Sequence, residues 1–293
     1  MAKFILSAFA DEAASSLEGQ IKALKDNGIY HIEPRNIDGR GILDYSEAEL
    51  SEIKKALDDA GIKVNSLGSP IGKYNIEDDI KPHFELFKKA LSAAEILGTE
   101  NIRMFSFFIP DGECEKYKCE VIARLSEMCA EAKRRGIKLC HENEAKIYGE
   151  APENVKELLE ALPELYAIFD PANYRMAGCD VISGIEASFI NFKYMHVKDA
   201  IYKEQMIVPA GEGEGKIAEI INLIDEKIDG DVYLTLEPHL HIFDAYKTID
   251  EHELRGKYKF SSNEEAFAFA ASALKNLLTK NKFTEGEDKK WTR

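Results

Sequence analysis

Apolar positions along this chain alternate between two periods. Leu17/Ile21/Leu24, Leu50/Ile53/Leu57, Phe84/Phe87/Leu91 and Val121/Leu125/Met128/Ala132 recur at the three- and four-residue spacing of a helix face. Between such stretches stand short, nearly unbroken apolar runs, the pattern of parallel strands buried on both faces. They are FILSAFA (4–10), IYHIE (29–33), KVNSL (63–67), NIRMFSF (101–107), KLCHE (138–142), YAIFD (166–170), KYMHV (193–197) and VYLTLE (232–237). Gly28, Gly61, Gly98 and Gly136 each follow a helical run and precede a strand-like one, at spacings of 33, 37 and 38 residues. That is the length of one helix–strand unit, with glycine ending each helix in the left-handed conformation. Ser46-x-x-Glu49 and Ser262-x-x-Glu265 read as capping boxes, and Pro152 suits a first helical turn.

Eight strands alternating with helices predict an α/β chain folded as a single (β/α)₈ TIM barrel, in preference to an open doubly wound sheet. The barrel is assigned to residues 1–283. Residues 238–262, after strand eight, lack periodicity and are too long for an ordinary connection, so they are expected to form an active-site lid. The charged tail 284–293, TEGEDKKWTR, is expected to fray.

Composition narrows the function. A net charge of −15 repels phosphate backbones and argues against nucleic acid. Five cysteines, an odd number without a CxxC, suggest reduced thiols and a cytoplasmic location. No run approaches the ~20 apolar residues of a membrane span. Ala8-Phe9-Ala10 mimics a cleavage site, but the apolar run ahead of it is too short for a signal peptide.

Chemistry concentrates where the strands end. Strand five ends in Glu142, strand six in Asp170, strand seven in His196-Val197-Lys198-Asp199 and strand eight in Glu237-Pro238-His239. All strand C-termini of a parallel barrel open on one face. With a barrel radius of about 7 to 8 Å, glutamates three strands apart nearly span the gap to a shared cation. Glu142, Asp170, His196 and Glu237 are therefore the expected metal ligands. Three carboxylates and one imidazole suit Mn²⁺ or Mg²⁺, with Zn²⁺ and Co²⁺ also accommodated. Glu33 and Arg35 end strand two, and Lys198 and His239 alternate with ligand positions toward the mouth; these are expected substrate contacts. Arg103, within strand four, is expected to pair with Glu33. Lys73 reads as a solvated loop lysine, and His141 should face a helix. The glycine-rich AGEGEGK (210–216) has the wrong residues for a phosphate loop and reads as a flexible loop.

Seven motifs in this order, IEPRN (32–36), GSPIGK (68–73), HENEAKIYGE (141–150), FDPANY (169–174), HVKDA (196–200), PAGEGEG (209–215) and LEPHL (236–240), carry a resemblance. Over roughly residues 1–280 the sequence resembles the xylose isomerase-like TIM-barrel family of sugar isomerases and epimerases. The resemblance implies that Glu142, Asp170, His196 and Glu237 bind one divalent ion, commonly Mn²⁺, and that Glu142 and Glu237 flank the substrate and move its proton. The chain departs from the pattern at Asn173, a candidate substrate contact where some epimerases carry histidine, and at Ala145-Lys146, where relatives place the lysine one position earlier.

The expected activity is thus metal-dependent isomerisation or epimerisation of a small sugar or polyol by proton transfer through an enediolate, with no nucleic-acid or membrane partner and a homo-oligomer left open. A keto-polyol (inosose-type) dehydratase shares the first proton abstraction. An endonuclease IV-like phosphodiesterase shares the fold but needs more histidines than these strand ends offer. A sugar-sensing barrel without catalysis would have little use for both glutamates.

Overall fold

The computed structural model describes residues 1–240, 258 and 260–293. Eight parallel strands follow the expected order: β1 (Ala2–Ala8), β2 (His31–Ile32), β3 (Lys63–Val64), β4 (Asn101–Met104), β5 (Lys138–Glu142), β6 (Leu165–Phe169), β7 (Phe192–Val197) and β8 (Gly230–Leu236). Strands β4 to β8 pair in sequence, and β8 pairs with β1 from Ala2↔Gly230 to Ala8↔Leu236. β2 joins β1 at Ala8↔Ile32 and β3 at His31↔Lys63. The ring closes through one bridge, Leu67↔Ile102, where Leu67 N donates to Asn101 O at 2.9 Å and Arg103 N to Leu67 O at 3.0 Å. β2 and β3 are shorter than their apolar runs because the chain leaves the ladder early; Pro34 has no N–H to continue β2.

Among the described residues nine helices surround the strands: α1 (Leu17–Asp26), α2 (Glu47–Asp59), α3 (Ile80–Leu97), α4 (Cys114–Arg134), α5 (Pro152–Ala161), α6 (Pro171–Met176), α7 (Val181–Ser188), α8 (Ile217–Lys227) and α9 (Asn263–Lys280). The four repeating glycines have φ between 61° and 76°, as their helix-ending role requires. Ser46 and Glu49 form a reciprocal capping box on α2. At α9, Ser262 caps Glu265 N as expected, but the Glu265 carboxylate reaches one residue further back, to Ser261 N at 2.7 Å. None of the described helices is long and apolar enough to cross a membrane.

Most of the core lies between barrel and helices, with Leu24, Phe87, Leu125, Leu158, Ile185, Ile220 and Leu274 supplied by seven different helices. Inside the barrel, alternate residues of each strand point inward. Cys140, Ile168 and Tyr194 pack there against Tyr166 and Tyr233. Above them is a hydroxyl and amide level, in which Ser7 Oγ donates to Asn65 Oδ1 at 2.6 Å. Two residues beyond Cys140, Ile168 and Tyr194 stand Glu142, Asp170 and His196, where the charged mouth begins.

Two expectations are corrected. The tail does not fray: Lys290–Thr292 pairs antiparallel with β1 (Phe4↔Trp291), Trp291 is buried, and Lys290 Nζ bonds Asp231 at 2.7 Å. This strand occupies the lower edge of β1, which β2 leaves open. The glycine-rich loop is tied down on Asp199, whose carboxylate accepts from Gly211 N, Gly213 N and Gly215 N at 2.8 to 3.0 Å. Side chains at Gly213 or Gly215 would run into that carboxylate. Of the expected lid, residues 241–257 and 259 lie outside the described residues. Tyr258 and Phe260 pack on Phe269 of α9, with ring centroids 5.5 and 5.4 Å away.

Candidate functional site

Glu142, Asp170, His196 and Glu237 come from the ends of β5, β6, β7 and β8, and one ligand atom from each lies within 4.8 Å of the others. None is more than 2% exposed. His196 Nδ1 stands 3.0 Å from Glu142 Oε1 and 3.6 Å from Glu237 Oε2. Its Nε2 turns the other way, 3.3 Å from Glu33 Oε2.

Each acid holds one oxygen fixed and presents the other. Asp170 Oδ1 accepts from Asn173 N at 2.8 Å, which makes it the N-cap of α6. Asp170 Oδ2 accepts no directed hydrogen bond and lies 2.9 Å from Lys198 Nζ. The ordinary role of a strand-ending aspartate and a ligand role thus occupy different atoms of one side chain. Glu142 Oε2 is held by Arg103 at 3.3 Å, and Glu237 Oε1 by Arg35 at 3.0 Å. The remaining oxygens, Asp170 Oδ2, Glu142 Oε1 and Glu237 Oε2, lie around His196 Nδ1 and Lys198. Three carboxylates, one imidazole and a buried oxygen lacking a directed hydrogen bond form a donor set that fits a divalent cation.

Crowding perturbs the titration of all four proposed ligands. Burial pushes Asp170 up to about 7, against the opposing pull of Lys198. Burial also opposes ionisation of Glu142, but His196 and Arg103 prevail and bring it down to about 2. Glu237 is likewise held well below the ordinary carboxylate range, with Lys198 and His239 outweighing its burial. His196, although buried, is pushed up to about 10 by Glu142 and Glu33. Proton and ammonium stand where positive charge is needed.

The expected substrate contacts fall into two groups. Arg35, Asn173, Lys198 and His239 line the mouth. Arg35 forks onto Asp11 at 2.9 and 3.0 Å. Asn173 Nδ2 donates to Asn143 O at 2.9 Å and reaches Glu142 Oε1 at 3.3 Å. His239 adopts φ 45°, a costly conformation for a side-chain-bearing residue, and its Nε2 lies 3.3 Å from both Glu12 Oε1 and Glu237 Oε1. Glu33 lies beneath the mouth, with no exposed surface, and accepts from Tyr194 OH at 2.9 Å. Arg103 pairs with Glu142 in place of the expected Glu33. Lys73 is paired with Glu144 at 3.0 Å and lies 4.4 Å from the Phe105 ring centroid. His141 faces away from the mouth, 2.9 Å from Ser106 Oγ.

Asp11 and Glu12 are the site residues the sequence reading passes over. They stand in a 3₁₀ turn directly after β1, and burial pushes Glu12 well above the ordinary carboxylate range despite Arg35. The signal that finds Glu142, an acid ending an apolar strand, is equally present in FILSAFADE.

Comparison with known proteins agrees with this architecture. No curated protein matches the sequence significantly. A zinc-bound IolI protein superposes with a TM-score of 0.71 at 18% identity, covering 94% of this chain and 99% of that one. D-psicose 3-epimerase from Clostridium cellulolyticum H10, solved with D-tagatose, gives 0.70 at 13% identity, covering 93% and 98%. The probable 3-DHS dehydratase AsbF of Bacillus anthracis gives 0.69 at 14% identity, covering 93% and 99%. At these identities the likeness is one of fold. The xylose isomerase-like TIM barrel family profile matches residues 21–256, and the chain belongs to that family.

Proposed function

We propose that this protein is a divalent-metal-dependent isomerase or epimerase of a sugar or keto-polyol, using Glu142 and Glu237 to move a proton through an enediolate. One observation carries the reading: two buried glutamates from strands three apart flank a single imidazole nitrogen, each with one oxygen anchored and one presented. A divalent cation held by these four residues, Mn²⁺ by the oxygen-rich donor set, would polarise the substrate's carbonyl and neighbouring hydroxyl oxygens and so acidify the C–H beside the carbonyl.

The chain supplies the rest. Arg103 and Arg35 hold the two carboxylates oriented, so that each can take or return a proton at one carbon or one face. Arg35, Asn173 and His239 offer hydrogen bonds to hydroxyls at the mouth. Lys198 and Asp170 complete the charge balance. The epimerases, the zinc-bound IolI protein and the dehydratase among its structural neighbours support this class of chemistry. The five free cysteines support a cytoplasmic setting.

A keto-polyol dehydratase is the second reading, favoured by Glu12. Burial raises its pKa beside His239, the direction that suits a carboxyl giving its proton to a departing hydroxyl. A phosphodiesterase is disfavoured, because among the described residues only His196 and His239 stand in the mouth and the chain carries −15.

Turnover of a ketose and keto-polyol panel with Mn²⁺ in deuterated water, read by mass spectrometry, tests the proposal. The product should carry solvent deuterium at low conversion, and Glu142→Gln and Glu237→Gln should each lose at least about 10²-fold in rate. A product lighter than its substrate by one water selects the dehydratase. Full turnover by either variant, or His196→Ala retaining stoichiometric Mn²⁺ by elemental analysis, would overturn the assignment.

A further inference from the structure

Lys198 is anchored on β7 two residues after His196 and points the same way, into the barrel mouth. It is 6% exposed. Its Nζ lies 2.9 Å from Asp170 Oδ2 and 3.3 Å from Glu237 Oε2. These are the oxygens left over once Asp170 Oδ1 has capped α6 and Glu237 Oε1 has taken Arg35. The ammonium therefore stands against the atoms that a divalent cation needs.

From this geometry we infer that Lys198 is the resident counter-ion of the metal site: it neutralises Asp170 and Glu237 while no metal is bound, and it must leave both oxygens when one binds. The inference rests on the proposed metal-dependent function. Its physical basis is the cost of burying like charges. Three carboxylates meet within a few ångströms, buried from solvent, and unpaired buried charge is strongly destabilising. A tethered cation lets the mouth fold before loading. It also competes with the metal, so loading becomes an exchange of one cation for another. The coupling is reciprocal: whatever free energy Lys198 gains from these two oxygens is subtracted from metal affinity.

This fixes the sign of an unusual result. Lys198→Met removes a cation from beside the metal ligands, and metal binding should tighten, on the order of 10-fold. The experiment titrates chelator-stripped full-length protein with Mn²⁺ by isothermal calorimetry, for wild type, Lys198→Met, Lys198→Gln and, as a control, Lys73→Met, whose partner Glu144 is not among the proposed ligands. Both Lys198 variants should bind more tightly and the control should match wild type. Thermal unfolding supplies a second readout: the stripped Lys198 variants should melt below stripped wild type, and Mn²⁺ should raise their melting temperature by more. If a stripped variant does not stay folded, it is purified with Mn²⁺ and its affinity measured by chelator competition on the loaded protein. Wild-type binding with equal or weaker binding by both Lys198 variants overturns this inference alone. No Mn²⁺ binding by any of the proteins overturns the metal-site reading and this inference with it.

Discussion

Glu33 shows how a single buried carboxylate can govern a site it does not face. One oxygen accepts from Tyr194 OH, whose oxygen also lies 2.9 Å from Ser66 Oγ and can accept from that hydroxyl; the other lies 3.3 Å from His196 Nε2. A proton on Nε2 donated to Glu33 leaves Nδ1, the nitrogen facing Glu142 and Glu237, with a free lone pair for a metal. Carboxylates behind a metal-binding histidine fix its tautomer and raise its basicity, and losing one costs about 10- to 100-fold in metal affinity. Glu33→Gln should therefore weaken Mn²⁺ binding by about that factor, and Tyr194→Phe by less, with the melting temperature of the loaded protein nearly unchanged. Calorimetry gives the affinity, and nitrogen NMR of His196 reports which ring nitrogen carries the proton; unchanged values for both in Glu33→Gln would refute this role. The four proposed ligands were legible because each ends an otherwise apolar strand. The task of Glu33 was not, since a charge within a strand does not tell whether it meets substrate, Arg103 or a histidine five strands away in sequence.

At the scale of elements, the final ten residues act as a wedge in the barrel wall. β2 pairs with β1 only near Ala8, so the lower edge of β1 would otherwise be open, and Lys290–Thr292 fills it. Trp291, the chain's one tryptophan, is 5% exposed, and Phe4 beside it packs edge-on against Phe283 with ring centroids 5.1 Å apart. Replacing a large buried aromatic residue by alanine costs about 3–5 kcal/mol. Trp291→Ala should show a loss of that order by urea unfolding followed with circular dichroism, while Mn²⁺ affinity stays within a factor of about two because the hairpin lies at the opposite end of the barrel from the ligands. A loss below about 1 kcal/mol would show that the hairpin is dispensable. Helix and strand periods revealed the alternating elements because each buries one regular face. They could not reveal this strand: in TEGEDKKWTR one aromatic among charges carries no period, and its pairing depends on an edge created elsewhere. The Asp199 buckle was hidden similarly, because glycines lacking a phosphate-loop pattern say nothing about an internal carboxylate that their N–H groups surround.

For the whole molecule, the mouth sets a balance between charge and stability. Asp11, Glu12, Glu33, Glu142, Asp170 and Glu237 converge there around Arg35, Arg103 and Lys198, and a proton on His196 supplies further positive charge in the metal-free state. His196 is raised from 6.5 to about 10, so in this interval the folded state binds more protons than the unfolded state. Its stabilising contribution is complete below about pH 6.5 and is lost as pH rises toward 10. One proton corresponds to about 1.4 kcal/mol per pH unit. Metal-free protein should therefore lose on the order of 2 kcal/mol between pH 6.5 and 8.5, a drop of several degrees in melting temperature. The titrations of Asp170 and Glu12 act in the same direction, since burial raises both, and Asp170, at about 7, titrates within the lower half of this window. Saturating Mn²⁺ should abolish the slope, because an imidazole bound through Nδ1 cannot also keep a proton there. Melting temperatures at pH 6.5, 7.5 and 8.5, with chelator and with Mn²⁺, for wild type and His196→Gln, decide the matter. Between pH 7.5 and 8.5 the slope should be present only in stripped wild type. A stripped His196→Gln variant with the same slope would assign the alkaline loss to other groups and remove His196 from its place as the proton that stands in for the metal.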